Sequence, residues 1–383
     1  MNARGAMQWL YGLSLGIFAL TGCGGDDAIN MGATSGQGGA AGAGAAGGAG
    51  GAGDAGGAGG AGGAGGTSGP GGSGGGGPSV SGISCRDEPP PGAELAPPPP
   101  PYSGGTCPAL AAGVNTIPSM GNDRTFLLVL PSNPEPDEVL PVIFLWHWLG
   151  GSANDFLEKG QIQAAADSQR FIAVIPESKG DITFKWPFDA QQKQERVDEE
   201  FTFFDDMLSC VSEQFKVNNN CVASAGVSAG ALFTDQLAGG RGQYLSSILS
   251  LSGGVGGVVR PWTQPDHRMP AMVLWGGPTD QCFFVMNFDT ASKELEKSLD
   301  AGGHFYLECV HNCGHSEPPL EAPAGLTNFA GLWQFVFDHP YWLKPGTSPY
   351  TSDGVPKALP TWCAIGAGSS TPRTGECPSE PGC

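Results

Sequence analysis

Seven apolar residues in a row, Leu140-Pro-Val-Ile-Phe-Leu-Trp146, leave this chain few options. A strand with no polar face must be covered on both sides, which is the position of a central strand in a parallel sheet. Similar runs recur at Arg124–Leu130, Phe171–Ile175, Cys221–Ser224, Ser246–Leu251, Ala271–Trp275 and His304–Cys309. Helical periodicity lies between them. Phe201, Phe204, Leu208, Val211 and Phe215 step by three and four, which predicts a helix over Glu199–Phe215. Ala229–Leu237 and Ser292–Ala301 read the same way. Strands alternating with helices predict an α/β fold, with a mostly parallel central sheet and helices on both faces.

Composition divides the rest. Of the 64 glycines in 383 residues, 26 lie between Met31 and Val80, where Asp54 is the one charge. Such a stretch buries too little apolar surface to offset the entropy of ordering, so a disordered tether is expected over 23–82. Residues 83–105 are proline-rich and expected to be extended. The folded domain is predicted over 106–345 and a cysteine-containing tail over 346–383. Residues 1–22 read as a leader, with Arg4 before an apolar run from Leu10 to Leu20 that is too short to span a bilayer. It ends in Leu20-Thr21-Gly22-Cys23, which resembles the bacterial lipoprotein lipobox. The resemblance implies a lipid on Cys23 and a membrane partner in the cell envelope. Gly24 in place of Asp favours the outer membrane or cell surface. A net charge of -19 argues against nucleic acid, whose binding requires neutralised phosphates.

Eleven cysteines less Cys23 leave ten, an even number for an oxidising compartment. Cys85 and Cys107 are expected to close on each other. The body then holds Cys210, Cys221, Cys282, Cys309 and Cys313, and the tail Cys363, Cys377 and Cys383. Both sets are odd, so full pairing requires a bridge from tail to body. Cys309, His311, Cys313 and His315 alternate, as zinc ligands on one strand face could. Their spacing is tighter than structural zinc sites use, and a disulfide beside the histidines is the stronger expectation. No metal and no cofactor are expected.

The pattern Gly-x-Ser-x-Gly occurs at Ser73, inside the tether, and at Ser228 in the body. The second sits between a β-run and a helix, the setting of a nucleophile elbow. A serine needs a base, and the base an orienting acid. Asp280 follows the run Ala271–Trp275, and His315 follows the last run, both where open α/β sheets place their sites. His311 competes for the base; His267 and His304 lie off these loops, and Asp289 is not preferred as the acid. The pair Asp205-Asp206 reads as a solvated helix face.

The stretch His147-Trp-Leu-Gly-Gly-Ser152-Ala-Asn-Asp-Phe156 completes a pattern. With Val197-Asp-Glu-Glu-Phe201, the elbow and Asn312-Cys-Gly-His315, it resembles the α/β-hydrolase serine esterases grouped as polyhydroxybutyrate depolymerases and feruloyl esterases. The likeness covers about 240 residues. It implies an ester substrate, with Ser228 as nucleophile, His315 as base and Asp280 as acid. It also implies Leu149 and Ala229 as oxyanion donors. Two departures stand out: Trp148 where the family has glycine, and Pro278 in the acid loop. Trp148 and Trp186 are candidates for lining the substrate cleft, and a monomer is expected. The alternative is a non-catalytic surface lipoprotein that reuses the fold for binding.

Overall fold

The computed structural model describes residues 82–282, 285–378 and 382. The leader, Cys23 and the tether as far as residue 81 lie outside the described residues, as does Cys383. The strands are β1 (Gly113–Ser119), β2 (Asn122–Val129), β3 (Leu140–Trp146), β4 (Ile172–Pro176), β5 (Val217–Val227), β6 (Ser247–Leu251), β7 (Ala271–Trp275), β8 (Gln281–Cys282), β9 (Met286–Asn287), β10 (Tyr306–Val310) and β11 (Cys363–Ile365). The helices are α1 (Ala153–Lys159), α2 (Ile162–Gln169), α3 (Gln194–Gln214), α4 (Ala229–Arg241), α5 (Phe288–Gly302), α6 (Ala330–Phe337) and α7 (Tyr350–Asp353).

One nine-stranded sheet runs β1-β2-β4-β3-β5-β6-β7-β10-β11. The six strands from β4 to β10 in that order are parallel neighbours. β1, β2 and β11 close the two sides in antiparallel pairing. The apolar run that becomes β3 is buried at every residue, between β4 and β5. Its alternating side chains serve two cores. Val142, Phe144 and Trp146 join α3, α4 and α5 on one face, while Ile143 and Leu145 join α1, α2 and α6 on the other. This alternation is why a continuous apolar run suits a strand with a helical layer above and below.

Several helix limits differ from the sequence reading. α3 begins at Gln194, and α5 begins at Phe288 because Asn287 caps it, its side chain accepting from the Thr290 N–H at 2.8 Å. Asp205-Asp206 is not a solvated pair, and that expectation is corrected. Asp206 is fully buried and accepts the Ser103 backbone N–H at 2.7 Å and its hydroxyl at 2.8 Å. Asp205 pairs with Arg241 at 2.8 Å, and burial pushes its pKa up to about 6 despite that partner.

Four disulfides join described cysteines: Cys85–Cys221, Cys107–Cys210, Cys309–Cys363 and Cys313–Cys377; Cys282 is disulfide-bonded too. The expected Cys85–Cys107 link is therefore wrong. The proline-rich segment runs along the domain, so its two cysteines meet different elements, β5 and α3, rather than each other. The expected bridge from tail to body is present twice.

Candidate active site

The elbow is built by close approach of backbones. Ser228 follows β5 with φ 55° and ψ -119°, and its N–H donates to the Leu251 carbonyl at 2.9 Å. α4 begins at the next residue. A Cβ on Gly226 would lie 2.1 Å from the Gly230 oxygen, and one on Gly230 would lie 2.0 Å from the Trp146 oxygen. Both positions must therefore be glycine if the first turn of α4 is to pass so near β3. The turn leaves Ser228 at the carboxyl end of β5, 6 % exposed.

Asp280 and His315 converge there. Asp280 is fully buried after β7, at the end of a 3-10 turn over Gly277–Thr279 that accommodates Pro278 near its start. Its Oδ2 accepts the Gly276 N–H at 2.8 Å and the Ser252 hydroxyl at 2.7 Å. Its Oδ1 lies 2.6 Å from His315 Nδ1, and His315 Nε2 lies 2.9 Å from Ser228 Oγ. Phe288 stacks on the His315 ring at 4.4 Å and 12°. The loop carrying His315 is laced to the end of β7: the His311 N–H donates to Trp275 O at 3.0 Å, and the Gly314 N–H to Gly276 O at 3.2 Å.

The competitors are occupied elsewhere. His311 accepts the Cys313 N–H through Nδ1 at 3.2 Å, is 1 % exposed, and burial draws its pKa down to about 4. Asp289 accepts from Trp275 Nε1 at 2.9 Å and holds Lys293. Cys309 and Cys313 are cross-linked, so their sulfurs are committed to the tail. Among the described residues no cluster of three or more His, Cys, Asp or Glu could hold a metal ion.

The loop after β3 stands beside the elbow, because Trp146 is in register with Gly226. Trp148, where the family has glycine, does not take the left-handed conformation that favours glycine; Gly150, two residues on, takes it with φ 80°. The Trp148 ring lies 6.1 Å from Phe156, with Lys159 Nζ 4.9 Å above it. The backbone N–H groups of Leu149 and Ala229 have no hydrogen-bond partner among the described residues. Open backbone N–H groups, one of them at a helix start, are the kind of donor that stabilises a developing oxyanion.

Trp186 is corrected. It is wholly buried, donates to His147 O at 2.8 Å, and packs against Trp146 and Phe233 at 5.0 and 5.8 Å. It cannot stack on a ligand from that position. Its place is beneath the loop after β3, holding the carbonyl that precedes Trp148. Ser252, Phe288 and Asp235 were not singled out in the sequence. Ser252 carried a faint signal, a Ser-Gly-Gly at the end of a predicted strand.

Known proteins agree with this architecture. The family model Esterase, described as "Putative esterase", matches residues 117–303. Feruloyl esterase D of Neurospora crassa is 28% identical over 144 residues, which cover 35% of this chain and 46% of that protein. The chain thus aligns with less than half the length of that relative. The crystal structure of native pOPH superposes with a TM-score of 0.54 at 18% identity, covering 68% of this chain and 97% of that one. Native sOPH gives 0.53 at 19%, covering 68% and 97%. Likeness at such identities speaks to the fold. The family model and the curated relative make the chain similar to esterases, and the solved structures share its α/β-hydrolase type of fold.

Proposed function

We propose that the chain hydrolyses carboxylic esters through Ser228, His315 and Asp280. The observation that carries this is the continuous relay from Asp280 Oδ1 to His315 and from His315 Nε2 to Ser228 Oγ, at 2.6 and 2.9 Å. Ser228 Oγ attacks the ester carbonyl carbon while His315 Nε2 takes its proton. The carbonyl oxygen gains charge and is met by the N–H groups of Ala229 and Leu149. One such donor is worth about 100- to 1000-fold in kcat. Collapse breaks the bond to the alcohol oxygen, which leaves with the proton from His315, and the acyl group stays on Ser228. A water molecule then attacks the acyl carbon, gives its proton to His315, and the acid departs as Ser228 is restored. Asp280 holds the imidazole in the tautomer that presents Nε2 to Ser228.

Replacing Ser228 with alanine should lower hydrolysis of a short-chain nitrophenyl ester by roughly four orders of magnitude or more. Labelling by a fluorophosphonate should vanish, with the melting temperature nearly unchanged. An alanine variant with the full rate would remove the assignment.

Polyester or feruloyl-type esters are the substrate class favoured by the sequence resemblance and by the aligned feruloyl esterase. Methyl ferulate and hydroxybutyrate oligomers assayed side by side would separate the two. The cell envelope is the proposed location, with a lipid on Cys23 and a monomeric domain. The lipobox and the disulfides of the described residues support it. Mass analysis of the mature N-terminus tests the anchor: an acylated Cys23 is required, and an unmodified terminus elsewhere refutes it.

A further inference from the structure

Ser252 lies immediately after β6, and its backbone is unusual. It has φ 51°, a left-handed conformation that a serine adopts only when its surroundings hold it there. The surroundings here are specific. Its N–H donates to Leu274 O at 2.6 Å, and the carbonyl just before it, on Leu251, accepts the N–H of Ser228 at 2.9 Å. Its side chain is 6 % exposed, and its hydroxyl donates to Asp280 Oδ2 at 2.7 Å. One peptide unit therefore touches the nucleophile through its carbonyl and the acid through the following side chain.

A second layer fixes that peptide. The Gly254 N–H donates to Asp235 Oδ2 at 2.7 Å, and Ser250 Oγ donates to the same oxygen at 2.9 Å. Ser292 Oγ, from α5, donates to the Gly253 carbonyl at 3.1 Å. Asp235 and Ser292 are themselves buried, on α4 and α5. The chain from 250 to 254 is thus tied to the two helices that follow the nucleophile and the acid.

The effect falls on the carboxylate. Oδ2 of Asp280 takes two donors, the Ser252 hydroxyl and the Gly276 N–H, and Oδ1 is left for His315. A carboxylate oxygen held by one donor swings about the Cβ–Cγ bond by breaking one hydrogen bond; with a hydroxyl and a backbone N–H both on Oδ2 it must break two. We propose that Ser252 is a positioning residue for ester hydrolysis, locking the Asp280 carboxylate so that His315 keeps Nε2 on Ser228. This rests on the triad reading above.

The test is a double-mutant cycle read with a nitrophenyl ester. Ser252→Ala removes the hydroxyl, and Ser252→Gly removes it while also relieving the left-handed backbone, so at least the glycine variant should fold with an unchanged melting temperature. Each should lower kcat by about 10- to 100-fold, as expected for a lost hydrogen bond to a charged group in a site sensitive to small misplacements. KM should stay the same. In an Asp280→Asn background the same Ser252 change should cost less than about twofold, because residues that act as a unit are not additive. Wild-type kcat in the glycine variant would overturn the proposal, and so would an equal loss in both backgrounds. If Ser228→Ala and Asp280→Asn lower kcat by orders of magnitude while Ser252→Gly keeps the wild-type kcat, only the role of Ser252 fails. If Ser228→Ala itself keeps turnover, the triad reading fails first.

Discussion

Two segments flank the sheet-forming body, and both look alike in composition: poor in large apolar residues, rich in proline or glycine, and bearing cysteines. Each is bonded to the body by disulfides, yet they meet it at opposite ends. The amino-terminal segment reaches Cys221 near the middle of β5 and Cys210 near the end of α3. Cys221 is seven residues before Ser228, roughly 23 Å along a strand. Its other ties are also distant: Ala96 N–H to Asn220 Oδ1 at 2.9 Å, and Leu110 N–H to Gln214 Oε1 at 2.8 Å. The carboxyl-terminal tail instead supplies β11 against β10 and covers the histidine loop. Cys377 bonds Cys313, two residues from His315. Asn312 donates to Gly375 O at 2.8 Å, Arg373 donates to Asn312 Oδ1 at 2.8 Å, and the Gly382 N–H donates to the His315 carbonyl at 2.8 Å. One segment braces the scaffold and the other braces the loop that carries His315.

That contrast can be broken by removing one clamp at a time. The largest expected effect is on stability at the amino-terminal segment. Cys85→Ser with Cys221→Ser opens a loop whose ends are 136 residues apart, and should cost about 3 to 5 kcal/mol in denaturant melts. Initial rates of the folded variant should match the parent; a large loss of kcat would erase the distinction between the two ends. Next comes Cys313→Ser with Cys377→Ser. Here kcat should drop about tenfold, as the base loop gains freedom to misplace Nε2, with a smaller cost in stability. A variant with unchanged kcat and a lower melting temperature would show that the tail merely adds stability. The smallest effect concerns pH. Burial draws His311 down to about 4, with Asp280 opposing that shift and Arg373 and His315 adding to it. The folded protein thus binds fewer protons there than the unfolded chain, whose histidine titrates near ~6.5. Stability from this group is present above about 6.5 and is lost as pH falls toward 4. His311→Gln should flatten that part of the melting-temperature profile; a profile parallel to the parent's would exclude it.

The sequence showed which residues converge better than where whole segments lie in space. Ser228, Asp280 and His315 were legible because each follows a predicted strand, and strand ends gather on one side of a parallel sheet. β3 was legible because its apolar run has one stable environment. Cys85–Cys107 was misjudged because nearness in sequence stood in for nearness in the fold, and an extended segment separates its own ends. Trp186 and Asp206 were misjudged together. An aromatic in a loop and an acid on a helix both read as exposed until the loop and the proline-rich segment fold over them. Ser252 left only a faint mark in the sequence because its contact with Asp280 depends on a backbone angle and a partner 28 residues away.

The two outer strands of the sheet offer unequal borders to another chain. β11 offers three residues, about 10 Å of edge, and its Cys363 is tied back to Cys309. A neighbouring chain gains little by adding to so short a border. β1 is seven residues long, carries Val114 at 71 % exposure, and is interrupted as a hydrogen-bond donor by Pro118. β1 is the longer of the two borders, and Pro118, with its carbonyl already taken by the Tyr102 hydroxyl at 2.6 Å, shortens the run that it can offer to another strand.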